Sequence, residues 1–243
     1  MQNSENTKNA RRFLESYNKL DSDIRGIFGL YHRSTFSDAI RKSAELSPLV
    51  RKYEDDLLSY AKLRNAIVHD SEEDKIIAEP LLEVTVHFEN IVKAILTPKM
   101  VKDCNFGKKV IMLSGEESVG KSCETINESG FSNLPVFAGG KIIGMMSNKR
   151  IVEIVAMSIK KNKSVDEILQ NAKVSQSVFK SDKGKYYEIK SSTSRIDEIL
   201  KLYEKNPNLT LVIITPNGSE NEKPCQVVGR NDVTTLSEML ELY

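Results

Sequence analysis

Apolar residues recur at helical spacing through the first hundred residues. Three stretches share a spacing of three to four positions: Phe13, Leu14, Tyr17 and Leu20; Phe36, Ile40 and Ala44; and Leu81, Val84, Phe88, Ile91, Val92 and Ile95. Pro80 fits a first helical turn, and Thr97-Pro98 predicts the end of the last helix. The pattern predicts an all-α helical bundle over residues 10–97, after a polar tail at 1–9 that we expect to be disordered.

The pattern changes after residue 107. Short β-type runs, "KVIML", "LPVF", "KIIGMM", "LTLVII" and "CQVV", alternate there with helical segments and are separated by Gly, Asn and Pro. This texture predicts an α/β domain, joined to the helical bundle by a linker at 98–107. The fold class is therefore α plus α/β, in two domains.

The second half also repeats itself at a shift of 77 residues. Apolar positions of one copy meet those of the other: Val119, Cys123, Ile126, Leu134, Val136 and Phe137 meet Ile196, Leu200, Tyr203, Leu211, Ile213 and Ile214. After a five-residue excursion in the second copy, "GMMSNKRI" meets "QVVGRNDV". Two copies of a β-α-β-β-α unit are predicted, at 108–175 and 176–243.

Composition narrows the class of protein. The formal net charge of the 243 residues is +1, so no basic stripe indicates broad nucleic-acid binding. Three scattered cysteines without C-x-x-C spacing predict no disulfide and no zinc site. No apolar run approaches the length of a membrane span, and the polar start lacks a signal-peptide core, so we expect a cytoplasmic protein.

The stretch "LRNAIVHD", residues 63–70, carries the first candidate chemistry. In a helix over 53–69, Arg64 projects from the apolar face, and a guanidinium there must find acceptors. Asn65 and His69 are four residues apart and so lie side by side on this helix. Around the helix axis, the directions of Arg64 and His69 differ by about 140°. These side chains meet on one substrate only if the helix ends near Val68 or a second subunit completes the site. The alternative is an arginine paired with a carboxylate and a histidine at a helix C-terminus.

The helical unit with "RNAIVH" resembles the HEPN family, over about residues 10–97. The resemblance implies a metal-independent endoribonuclease that acts as a homodimer on single-stranded RNA, with Arg64, Asn65 and His69 as catalytic residues. The chemistry suits these side chains, because a histidine can move the proton of a ribose hydroxyl and a guanidinium can hold phosphate charge.

The segment "GEESVGKS", residues 115–122, matches the P-loop pattern and raises the alternative of an NTPase. A P-loop would use Lys121 on phosphates and Ser122 on magnesium. However, the later strand "LTLVIITPN" ends without a magnesium-ordering acid, and the segment already belongs to a repeated helix. We therefore expect no P-loop.

The repeat itself resembles the CBS domain. "GFSNLPVFAGGKIIGMMSNKRI" carries the resemblance, and the tandem pair resembles a Bateman module over about residues 105–243. Such modules usually bind adenosine-containing ligands through a strand that ends in Gly, two apolar residues, Ser or Thr, two residues and Asp. The first copy keeps Gly144 and Ser147 but has Arg150 in place of Asp. The second copy has Gln226 and Gly229 in place of Gly and Ser or Thr but keeps the acid, as Asp232.

The resemblance implies one regulatory adenine nucleotide around Asp232. Its implied site consists of Asp232, Arg230, Ser147, Arg150, Pro135 and Val136, with arginine as phosphate contact and the "LPVF" backbone along the base. ATP, ADP, AMP and NAD are not distinguished, and no metal is expected. The alternative is a scaffold in which Asp232 only caps a helix.

Together the two resemblances imply an adenine-nucleotide-regulated, dimeric, metal-independent endoribonuclease. The alternative is a non-catalytic dimeric regulatory protein, in which the tandem repeat senses an adenine nucleotide and the helical bundle has no enzymatic activity.

Overall fold

The computed structural model describes residues 7–68, 76–106 and 109–240. Its packing divides the chain into two compact units. One unit contains the described residues up to Lys99 together with Ile196–Lys201 and the residues from Ser237 onward. The other contains Met100–Arg195 and Leu202–Leu236.

The helical unit is built around five helices: α1 Lys8–Phe28, α2 Phe36–Leu46, α3 Pro48–Lys52, α4 Glu54–Ile67 and α5 Leu82–Leu96. The apolar stripes predicted from the sequence form its core, where the rings of Phe13 and Phe88 lie 4.6 Å apart between centroids. Helical structure is confirmed for this part of the chain. No described helix of the chain is long and apolar enough to cross a membrane.

Caps position the first and last helices of this unit. The Glu79 carboxylate accepts hydrogen bonds from the backbone N–H groups of Asn9 at 2.8 Å and Ala10 at 3.1 Å, at the start of α1. An acid here satisfies two backbone donors and complements the helix dipole. Lys8 and Asn9, expected in the tail, are therefore helical, whereas residues 1–6 lie outside the described part. Helix α5 ends at Leu96 with Thr97 as cap, as predicted.

The described residues of the α/β unit form six strands: β1 Leu113–Ser114, β2 Asn133–Ala138, β3 Lys141–Ser147, β4 Tyr187–Ser191, β5 Leu211–Thr215 and β6 Gln226–Gly229. Its helices are α6 Val119–Ser129, α7 Asn148–Lys160, α8 Val165–Asn171, α9 Val174–Ser177, α10 Ile196–Lys205 and α11 Val233–Glu238. The first residues of α10 and the last residues of α11 belong to the helical unit. Short 3₁₀ turns occupy Val101–Asp103, Lys180–Asp182 and Arg230–Asp232.

The two sheets have the same topology. Strand β1 pairs in parallel with β2, and β2 pairs antiparallel with β3. Strand β4 likewise pairs in parallel with β5, and β5 antiparallel with β6. Since α6 and α10 each follow the first strand of a sheet, both copies run β-α-β-β-α, and the predicted repeat is confirmed.

The two sheets share one apolar core. Ile142 and Met145 of β3 pack in the same cluster as side chains of the second sheet: Tyr187, Ile189, Leu211 and Ile213. Burial raises the pKa of Tyr187 to about 12, because the phenolate would be poorly solvated there. The repeats therefore form a single packed body, and the surfaces where they meet are the natural place for a binding site.

Gly144 of β3 lies against Val178, and this contact gives a stability prediction. A Cβ built on Gly144 would lie 2.8 Å from the Cβ of Val178, which is buried and branched there. We expect Gly144→Ala to lower the free energy of unfolding by about 1–3 kcal/mol, measured by urea denaturation. Gly26→Ala is the control, since a Cβ at Gly26 in α1 meets nothing within 4 Å and should stabilise by about 0.5–1 kcal/mol. Equal effects of the two substitutions would contradict the packing argument.

Candidate functional site

Helix α4 ends where a site built on Arg64 needs it to end. The helix stops at Ile67, two residues before the predicted end, and Val68 is extended and pairs antiparallel with Ile76. The condition derived from the sequence, a helix that ends near Val68, is therefore met. His69 itself lies outside the described residues.

The Arg64 guanidinium is held by weak contacts. Its Nη1 donates to Asn65 Oδ1 at 3.4 Å, and its central carbon lies 5.9 Å from the centroid of the Tyr17 ring. Its Nε is buried and has no hydrogen-bond partner among the described residues. The paired-arginine alternative requires an ion pair between Arg64 and a carboxylate. Within the described part of the chain, no carboxylate forms one.

The P-loop match has a structural explanation. Ser118 caps α6 by accepting from Lys121 N, so the helix already includes Gly120, and Lys121 Nζ binds Glu124 Oε2 at 2.9 Å. The Ser122 hydroxyl is buried and donates to Val119 O at 2.6 Å. A Cβ on Gly120 would lie 3.0 Å from Leu169 O, so the glycine permits close packing of α8. The glycine, lysine and serine that end the match thus each have contacts within the chain itself.

Two clefts open between the repeats of the α/β unit. We call the first cleft A; its volume is about 210 Å³. The lining combines apolar walls from both repeats with the end of β6: Ile111, Phe131, Leu134, Pro135, Leu211 and Val227, followed by Gly229, Arg230, Asn231 and Asp232. Lys109 and Thr210 also lie on its wall.

We call the second cleft B; its volume is about 360 Å³. The end of β3 and the start of α7 line it with Ser147, Asn148, Lys149 and Arg150, the residues that the sequence repeat aligns with Gly229–Asp232 of cleft A. The two clefts are therefore the two copies of one feature, as the internal repeat requires. They adjoin, since Ser132, Asn133 and Thr210 line both.

Each copy retains half of a capping box at the end of its last strand. In the first copy, Ser147 Oγ accepts from Arg150 N at 3.1 Å, and no acid returns the bond. In the second copy, Asp232 Oδ2 accepts from Gly229 N at 2.8 Å, and no hydroxyl stands at Gly229. A complete box needs both a hydroxyl at the first position and an acid three residues later. The first copy thus keeps the hydroxyl of the capping box and the second copy keeps its acid. The same two positions gave the half-sites in the sequence.

Solved structures that the chain resembles are CBS-domain proteins. The CBS domain of a CBS domain containing membrane protein from Sphaerobacter thermophilus matches with TM-score 0.43 and 11% identity, over 57% of this chain and 88% of that one. A CBS-domain containing protein of Agrobacterium tumefaciens matches with TM-score 0.43 and 17% identity, over 57% and 92%. The CBS domain of a bacterial CNNM/CorC family Mg²⁺ transporter, in complex with ATP, matches with TM-score 0.40 and 14% identity, over 62% and 92%.

No protein-family model and no curated protein matches the chain. All three TM-scores lie below 0.5, so we assign the fold from strand order and pairing direction alone. The HEPN resemblance of the helical unit stays a prediction.

Arg150 lies on the wall of cleft B and not beside Asp232. Its Nη2 binds Asp182 Oδ2 at 2.8 Å, its Nη1 binds Glu153 Oε2 at 2.7 Å, and its guanidinium carbon lies 4.4 Å from the centroid of the Phe179 ring. The side chain is only 17% exposed. With two carboxylates and an aromatic face already engaged, Arg150 closes one corner of cleft B.

Arg230 also has partners of its own. Its Nε donates to Leu209 O at 3.2 Å, and its Nη2 donates to Pro207 O at 2.8 Å. The guanidinium carbon lies 5.4 Å from the centroid of the Tyr203 ring, and burial raises the pKa of that tyrosine. Arg230 thus fixes the loop before β5, which forms part of both clefts, and also lines cleft A.

The structure separates the predicted nucleotide site into two groups. Asp232, Arg230 and Pro135 line cleft A, whereas Ser147 and Arg150 line cleft B. Val136 is fully buried in the core of the first repeat, so its side chain contacts neither opening. The alignment of the repeats could have predicted this separation, since equivalent positions in a two-fold repeat lie at opposite ends of the interface.

Sequence reasoning missed three lining residues. Lys109 stands at the start of the "KVIML" run, Tyr186 precedes β4, and Asp182 lies in a 3₁₀ turn. Hydrogen bonds from Lys185 and Lys149 lower the pKa of Tyr186. No pattern in the sequence marks Asp182, because only folding brings it to Arg150. The described residues contain no group of three or more His, Cys, Asp or Glu side chains that could hold a metal ion.

Proposed function

We propose that the protein is a non-catalytic regulatory protein that binds one adenine nucleotide in cleft A. A single observation carries the proposal: one opening combines apolar walls from both repeats, a buried carboxylate and a lysine. Leu134 and Pro135 on one side and Leu211 and Val227 on the other offer the surfaces that a base needs. The Asp232 carboxylate, 7% exposed, is an acceptor suited to the two hydroxyls of a ribose.

Binding in this cleft would act on the whole α/β unit. Both repeats contribute to the walls, so a ligand that prefers one arrangement of the repeats must shift their equilibrium toward it. The helical unit, attached to the same chain, is the proposed recipient of that shift. The homodimer predicted from the sequence belongs to this proposal, and sedimentation equilibrium with and without ligand tests it.

Calorimetric titration tests the proposal. Purified protein is titrated with adenosine, AMP, ADP, ATP and NAD, and in parallel with guanosine and GMP. We expect saturable binding of at least one adenine compound, and at least tenfold weaker binding of the guanine compounds. Absence of binding by all adenine compounds would remove the proposed function.

A second candidate function, cleavage of single-stranded RNA, is favoured by the Arg64 environment. A buried Nε without an acceptor in the described residues is the kind of donor that a phosphate oxygen would satisfy. The proposal uses Arg64, Asn65 and His69, the last of which lies outside the described part. Incubation of the protein with single-stranded RNA in chelator tests it, and equal cleavage by wild type and His69→Ala would remove it.

The same environment gives a stability prediction for Arg64. Because no described carboxylate would be left without its cation, we expect Arg64→Ala to change the free energy of unfolding by less than about 1 kcal/mol. Urea denaturation measures this. Arg25→Ala is the control, since its Nη1 binds Asp21 Oδ1 at 2.7 Å and its Nη2 binds Ser34 O at 2.9 Å, so its loss should cost more. A loss of about 3 kcal/mol for Arg64→Ala would instead indicate a paired, structural arginine.

A further inference from the structure

Cleft A offers little positive charge for a chain of phosphates. Its described lining contains two cations, Lys109 and Arg230, against one carboxylate, Asp232. The cleft therefore carries one net positive charge. AMP carries about two negative charges at neutral pH and ATP about four. The single net positive charge of the cleft therefore neutralises a smaller share of the ligand's charge with each added phosphate.

The two cations are not equivalent. Arg230 already donates from Nε and Nη2 to backbone carbonyls, so reorienting it toward a ligand would break these bonds. Lys109 is exposed and forms no ion pair with any described residue. Its three N–H donors can turn to a phosphate without breaking an ion pair to the part of the chain that the structure describes. Lys109 is thus the cation available to a ligand.

The size of the opening points in the same direction. A cleft of about 210 Å³ lies below the range of about 300–1,000 Å³ usual for sites that enclose drug-sized ligands. A nucleoside with one phosphate is the smallest adenine nucleotide. Cleft B is larger, at about 360 Å³, but the Arg150–Asp182–Glu153 ion pairs fill one corner, and both carboxylates repel phosphate.

We propose that cleft A selects nucleoside monophosphates over di- and triphosphates and that Lys109 is the residue that binds the single phosphate. This inference rests on the proposed function of cleft A. It goes further by naming the class of ligand and the residue that determines it. AMP should bind more tightly than adenosine, because Lys109 contacts its phosphate. ADP and ATP bring additional negative charge, for which the described lining has no further cation.

Four ligands and three proteins test this inference. Adenosine, AMP, ADP and ATP are titrated in chelator into wild type, Lys109→Ala and Lys160→Ala. The control removes the same charge from an exposed position on α7 that lines neither cleft. For wild type we expect AMP to bind about tenfold more tightly than both adenosine and ATP. Lys109→Ala should bind AMP and adenosine equally, with adenosine affinity unchanged, and Lys160→Ala should match wild type.

The outcomes separate the two levels of the proposal. Binding of none of the four ligands, and no binding of NAD in the titration described above, would remove the proposed function itself. Binding of ATP as tightly as AMP, or a Lys109→Ala protein that still prefers AMP to adenosine, would overturn the inference and leave the function standing. Circular dichroism of each variant identifies misfolding, and the unchanged adenosine affinity gives an internal control for an intact cleft.

Discussion

Asp232→Asn is expected to weaken binding of adenosine to cleft A about 30-fold or more. Asparagine keeps an oxygen that can accept from Gly229 N, so the cap at the end of β6 survives. It loses the charge that strengthens two hydrogen bonds from ribose hydroxyls, each worth about 1.5 kcal/mol or more when one partner is ionised. Calorimetric titration with adenosine and 2′-deoxyadenosine measures the effect.

The deoxy compound makes this test specific. Wild type should bind 2′-deoxyadenosine more weakly than adenosine, and for Asp232→Asn this difference in affinity should be smaller. Glu238→Gln, an exposed acid in α11 that does not line the cleft, is the matched control and should behave as wild type. If Asp232→Asn binds adenosine as tightly as wild type, Asp232 is only a cap and the site lies elsewhere.

Arg150→Ala is expected to cost about 2–4 kcal/mol in the free energy of unfolding. The substitution leaves Asp182, 7% exposed, without its 2.8 Å cation partner, and removes the contact with Phe179. An uncompensated buried charge is more costly than the lost attraction, because its solvation is not restored. Urea denaturation measures the loss.

Two further variants identify the cause of that loss. Lys149→Ala removes a cation that is 67% exposed and 4.0 Å from Glu153, so it should change stability by less than about 1 kcal/mol. The double variant Arg150→Ala/Asp182→Asn should be more stable than Arg150→Ala alone, since the uncompensated carboxylate is gone. A double variant less stable than the single one would show that packing, and not charge, determines the effect.

The fold was largely predictable because its signals are local. Helical periodicity in α1 and α5, the Thr97-Pro98 stop, and the matched apolar positions of the two repeats all follow from spacing along the chain. The end of α4 at Ile67 was harder to predict, because it coincides with the pairing of Val68 with Ile76, a contact that the helical periodicity of α4 does not reveal. The run "KVIML" also contributes less strand than its residues suggest, since only Leu113–Ser114 pair with β2.

The site was predictable only in part because its partners come from separate segments. The sequence contains the motif that places Asp232 after β6, and the resemblance supplied a reason to consider it. It does not show that Arg150 meets Asp182, 32 residues away, or that Arg230 turns to the carbonyls before β5. An arginine in a motif can bind a ligand or its own chain, and only the positions of competing acceptors decide between these roles.

The wall that the two openings hold in common has one more consequence. Asn133 and Thr210 border both, so a solute that displaces either side chain alters the wall of both openings. Occupation of one opening should therefore change the affinity of the other, so two bound molecules would not behave as independent ones.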